Sequence, residues 1–286
     1  MSRFNKIIYK FLRYSGLPFL FREFKQKNKV TILMFHDINE KTSERLFRYL
    51  KKRYNIIDLN FFINACENKE AKKLPPKSLI ITFDDGHVGN YAMLPVLKKY
   101  KIPITIFLCT GIINTKRHYW FKYPLLSRPS EDYKNLSNKE RINELLKIGF
   151  KEMKEYSEVQ ALSKDQIEEM SEFVNFQSHT KFHPCLPTCS DTEAFEELSE
   201  SRKFLEREYG FSINSIAYPN GDYNEKIMSI ARKSGYKCGL TIDYGFNNIY
   251  TNLLGLKRLS VNDTVDMNEF IVKSSGVWGY FKNALN

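Results

Sequence analysis

From residue 30 onward the chain alternates short apolar runs with longer stretches of helical period. The runs cover residues 30–35, 79–83, 102–108, 173–176, 213–218, 236–242 and 256–261. Two of the intervening stretches open on capping boxes, Ser163 with Gln166 and Ser190 with Glu193; in each, the two side chains satisfy one another's helix-end N–H groups. The second of these predicts a helix that runs to Tyr209 and stops at Gly210, a residue able to take the left-handed closing conformation. Strand followed by helix, repeated about seven times, predicts an α/β fold with a parallel sheet, open or closed into a barrel.

Two segments depart from this alternation. Residues 114–160 are too long for a simple connection and carry His118, Tyr119, Trp120, Phe121 and Tyr123 ahead of a charged helical stretch. They read either as a lid whose aromatic faces stack on sugar rings or as aromatics packed beneath a long excursion. Ahead of the first strand, Phe4, Ile7, Ile8, Phe11 and Leu12 recur at helical spacing, with Arg3, Lys6, Lys10 and Arg13 between them. That is a basic amphipathic helix, which can lie on a membrane surface or pack on the domain. The chain thus divides into a basic amphipathic segment, 1–29, and a main domain, 30–286, with the insertion 114–160.

Charge sharpens that division. Lys and Arg outnumber Asp and Glu by 44 to 33, and residues 1–29 hold eight basic residues against one acid, so +7 of the net +11 belongs to this segment. The remainder is only mildly basic, which argues against a nucleic-acid partner. Five scattered cysteines (Cys66, Cys109, Cys185, Cys189, Cys238) are unlike a disulfide framework and fit a reducing compartment. Neither a signal-peptide core nor a membrane span is evident in the hydropathy, so the expectation is a cytoplasmic protein, with peripheral membrane contact open through residues 1–24.

Candidate chemistry falls at the ends of the apolar runs. His36 follows the first, Asp84 and Asp85 the second, His179 the fourth, and Tyr218-Pro219-Asn220-Gly221 closes the fifth. In a parallel sheet all strand C-termini share one side of the fold, so these residues are predicted to converge on one mouth. His179, His183 and Asp85 make a ligand set with open positions, as a catalytic divalent metal requires. Consecutive side chains diverge at a strand end, so Asp84 is left to face the water as a base. His87 and His118 read as surface or lid residues.

The stretches Thr82-Phe83-Asp84-Asp85-Gly86 and Ser178-His179-Thr180-Lys181-Phe182-His183-Pro184 resemble the polysaccharide deacetylase family, the NodB-homology domain. The resemblance covers about residues 30–262, with Ile32-Leu33-Met34-Phe35-His36 similar to its first strand and Ala217-Tyr218-Pro219-Asn220-Gly221 to its third motif. It implies a distorted (β/α) barrel that removes N-acetyl, or less often O-acetyl, groups from carbohydrate with a divalent metal, zinc first and nickel, cobalt or iron as alternatives. Asp84 resembles the base, and Asp85, His179 and His183 resemble the metal ligands. The Tyr218 N–H resembles the oxyanion donor. The third motif has Ala217 where the family usually has Arg, and the late Leu-x-His motif is missing. His36 matches the acid of the permuted poly-N-acetylglucosamine deacetylase branch, and Arg258 is the candidate substitute for the Arg. The implied partner is an N-acetylated saccharide, polymeric or lipid-linked. Three other readings compete: a closed zinc site of His179, His183, Cys185 and Cys189, a two-carboxylate glycosidase, and a carbohydrate-binding protein without turnover.

Overall fold

The computed structural model describes residues 3–284; residues 1, 2, 285 and 286, which belong to the two predicted segments, lie outside the described residues. The strands are β1 (Val30–Phe35), β2 (Asn55–Ile56), β3 (Ser78–Phe83), β4 (Ile104–Leu108), β5 (Val174–Ser178), β6 (Ser215–Ala217), β7 (Cys238–Leu240) and β8 (Leu259–Ser260). They form one sheet in the order β7-β6-β5-β4-β3-β1-β8, and every ladder is parallel. The two edges meet at one point. Leu256, just ahead of β8, donates its N–H to Gly239 O at 2.8 Å and accepts from Thr241 N at 2.9 Å. The sheet is therefore curled into a distorted (β/α) barrel, as expected, and seven strands match the seven apolar runs.

β2 was not predicted. It has two residues, follows the charged run Lys51-Lys52-Arg53, and pairs with the start of β3 while β4 pairs with its end. An element this short leaves no periodic signal.

Residues of β1, β3 and β4 are buried throughout, because helices cover one face and the curled sheet encloses the other. Successive residues alternate between these environments. Leu33, Phe35, Leu79, Ile81 and Phe83 join the large core under the helices, whereas Ile32, Ile80, Phe107, Ala217, Leu240 and Leu256 form a second cluster with Leu59, Phe62 and Ile63. The phase of Ile32 and Ile80 continues to Met34 and His36 and to Thr82 and Asp84. Strand alternation thereby aims these polar side chains at the mouth.

Both predicted capping boxes are present, and the helix Asp191–Tyr209 stops at Gly210 with φ 68°. The N-terminal helix, α1 (Arg3–Tyr14), packs on the helix Met267–Ser274 through Tyr9, which shares a small core with Val272 and Val277. No helix among the described residues is long and apolar enough to cross a membrane.

Candidate active site

Asp84 and Asp85 leave β3 in opposite directions because Asp85 turns into the left-handed region, φ 72°. Asp84 is buried and gripped by Arg258, whose Nη1 and Nη2 donate to Oδ1 and Oδ2 at 2.7 Å each. Arg258 is held in turn by donating Nε to Thr241 O at 2.7 Å. Burial alone would raise the Asp84 carboxyl, but the charge of Arg258, followed by that of His179, outweighs it and holds the group below the ordinary carboxylate range. Arg258, just ahead of the edge strand β8, thus reaches the carboxylate across β1.

Asp85 faces the histidines. Its Oδ1 lies 3.3 Å from His179 Nε2 and 3.5 Å from His183 Nε2, and the three ligand atoms fall within 4.8 Å of one another. Oδ1 is buried without any hydrogen-bond partner, which is costly unless something positive meets it. His179 Nδ1 donates to Ala217 O at 2.7 Å, leaving its Nε2 lone pair directed at Asp85. Burial drives His183 down to about 3, so its ring is neutral, as a ligand must be. An orphaned anionic oxygen and two imidazole nitrogens fit a divalent cation.

The loop that delivers these histidines is strained and braced. Thr180 and His183 both take positive φ, 66° and 57°. Glu197, from the helix Asp191–Tyr209, accepts from Lys181 N at 2.8 Å and Phe182 N at 2.9 Å through one oxygen. Burial pushes its carboxyl up to about 7 against the pull of those two donors. Ser201 Oγ donates to Thr180 O at 3.0 Å, and Trp120 Nε1 donates to His183 O at 2.8 Å. Cys185 and Cys189 do not enter the ligand group found among the described residues, and all five cysteines are buried free thiols.

His36, at the end of β1, lines the same cavity of about 490 Å³ as Asp84, Asp85, His179 and His183. Its Nδ1 lies 3.5 Å from Asp263 Oδ2, and its backbone N–H donates to Asp263 Oδ1 at 2.8 Å. Burial would lower this imidazole, but the Asp263 bond and the charges of Asp85 and Asp84 raise it to about 9, so it is protonated at neutral pH. Asp263 was missed from the sequence. It follows the last apolar run as His36 follows the first, and that shared position was the available signal.

Three expectations need correction. The Tyr218 N–H is not free for an oxyanion: it donates to Leu240 O at 3.0 Å in the β6–β7 ladder, and the buried side chain donates to Leu254 O. Asn220, two residues on and at φ 58°, reaches the cavity instead, and its N–H has no hydrogen-bond partner among the described residues. His87 is not a surface residue. The insertion returns antiparallel to it at Ala161, burying it with Nε2 2.9 Å from Asp85 Oδ2. His118 belongs to the insertion but is buried, stacked 4.3 Å from Tyr156. The aromatics here mostly pack: Trp120, Tyr123 and Tyr133 build a core of their own, while Phe121 lines the cavity and touches His183. A larger cleft of about 660 Å³, between the helix Glu40–Arg53 and Val265, holds none of these groups.

The family profile described as Polysaccharide deacetylase matches residues 71–239. YxkH of Bacillus subtilis is 27% identical over 246 residues, 82% of this chain and 72% of that protein. The poly-beta-1,6-N-acetyl-D-glucosamine N-deacetylase of Staphylococcus aureus is 26% identical over 209 residues, 72% of this chain but only 61% of the relative's length. The structure of a Streptococcus pyogenes deacetylase, PplD, in complex with acetate superposes with a TM-score of 0.64 at 22% identity, covering 86% of this chain and 98% of that one. His36, Arg258 and Asp263 all lie outside the stretch that the family profile matches.

Proposed function

The chain belongs to the polysaccharide deacetylase family, and on that premise we propose that it is a metal-dependent deacetylase that hydrolyses the acetamide of an N-acetylated sugar. The substrate is a surface polysaccharide or its polymeric or lipid-linked precursor, a reading the staphylococcal relative favours. What carries the proposal is the division between neighbouring carboxylates: Asp84 is gripped by Arg258, whereas Asp85 turns an unpartnered oxygen to two histidines.

Asp85, His179 and His183 would hold a divalent cation, zinc being the first candidate. Such an ion supplies Lewis acidity to a water and to the acetyl carbonyl. Asp84, ionised and fixed by Arg258, takes the proton from the attacking water. Asn220 lines the cavity, and its N–H, without a hydrogen-bond partner among the described residues, is the candidate donor to charge developing on the carbonyl oxygen. His36 then gives its proton to the departing amine, which cannot leave as an anion. An ionised carboxylate and a protonated imidazole in one cavity are the pair that this base-and-acid division needs. Neighbouring carboxylates do not flank a bond as a glycosidase requires, and a carbohydrate-binding protein without turnover has no need of such opposed protonation states.

The test is acetate release from N-acetylated saccharides, poly-β-1,6-N-acetylglucosamine oligomers among them, with metal content measured alongside. Chelation abolishes release. Asp84→Asn loses activity and keeps its metal, whereas Asp85→Asn loses both. Equal metal loss in the two variants, or activity that survives chelation, overturns the proposal.

A further inference from the structure

We propose that α1 and the turn after it form a docking surface for an anionic lipid bilayer. The helix presents three faces. Tyr9, 4% exposed, anchors one to Val272 and Val277, with Leu12 packed beside it. Lys6 and Lys10, both exposed, occupy the second. Phe4, Ile7, Phe11 and Tyr14 recur at i, i+3, i+7 and i+10 on the third, and are 70%, 62%, 73% and 70% exposed. The apolar stripe visible in the sequence is therefore split: one part packs on the domain and the other faces away from it. Phe19, Leu20 and Phe24, in the turns beyond the helix, are exposed as well.

Single exposed apolar residues are ordinary, but a run of this size marks an interaction site. Charge identifies the occupant. Lys6, Lys10, Lys25, Lys27 and Lys29 are exposed around this segment, while its only acid, Glu23, is already paired with Arg22 and Lys77. Aromatic and aliphatic side chains between lysines that have no ion pair among the described residues match the headgroup boundary of an anionic leaflet.

Orientation relates the surface to the mouth. Arg13 Nη1 donates to Asn268 Oδ1 at 3.0 Å, and Lys273 Nζ lies 5.8 Å from the centre of the Tyr9 ring. The helix thus runs antiparallel to Met267–Ser274, and its Tyr14 end lies on the side of the strand C-termini. A bilayer docked here holds the cavity beside its surface.

None of these residues belongs to the catalytic cluster, so the docking surface and the deacetylase reading fail separately. The full chain is expected to float with phosphatidylglycerol–phosphatidylcholine vesicles and only weakly with phosphatidylcholine alone. Ile7→Ser/Phe11→Ser should lower vesicle binding by about tenfold or more, and each of Lys6→Gln and Lys10→Gln by about fivefold. All should leave the melting temperature and acetate release from a water-soluble substrate unchanged. Undiminished flotation of Ile7→Ser/Phe11→Ser overturns the proposal, as does a wild-type chain that ignores vesicles. So does a wild-type dimer that the same double variant dissociates, because the face then belongs to a second copy.

Discussion

His36 and Asp263 stand 227 residues apart in sequence, yet two contacts join them, one to the imidazole and one to the backbone. The carboxylate both aims the ring and holds its proton. Asp263→Asn keeps the backbone contact within reach and removes the charge. The alkaline limb of kcat/KM, where His36 loses its proton, should then move to lower pH by about one unit, while His36→Ala should lower kcat by roughly 10² or more on an N-acetyl substrate. The sign follows from the raised imidazole: activity is present while His36 is protonated and declines as pH rises through its titration. An unmoved limb in Asp263→Asn, read from pH–rate profiles, would mean that another group is the acid.

At the scale of elements, the helix Asp191–Tyr209 does more than cover the sheet. From it, Glu197 gathers two successive N–H groups of the loop carrying His179 and His183, and Ser201 holds Thr180 O. Two positive-φ residues in seven make that loop a conformation that side-chain preferences alone do not favour. Glu197→Ala leaves both donors unpaired, and metal affinity, measured by competition with a chromophoric chelator, should weaken about 10- to 100-fold. Glu197→Gln retains an acceptor oxygen and should stay near wild type. Equal affinities in the Ala variant and the wild type would show that the loop keeps its shape unaided. The capping box that starts this helix was legible because it is local, whereas the grip of Glu197 on the loop was not, because a mid-helix Glu looks like any solvated acid.

For the whole molecule, β1 between β3 and β8, and the contact between β7 and Leu256, bring opposite ends of the chain to one mouth. Metal binding should therefore register as global stability. Zinc at about 100 times its Kd adds about 2.7 kcal/mol, several degrees in a thermal melt, and Asp85→Asn should cancel the shift. A wild-type melt indifferent to zinc would mean that Asp85, His179 and His183 do not hold it. The strands other than β2, the capped helix and the placement of Asp84, Asp85, His179 and His36 at strand ends were readable from the sequence alone, because period and turn chemistry are local. Only the folded chain decided that Arg258 grips Asp84, that Asp263 meets His36, that His87 is buried, and that Tyr218 spends its N–H on the sheet while Asn220 does not. Each of these depends on contacts between segments far apart in sequence, which no local pattern encodes.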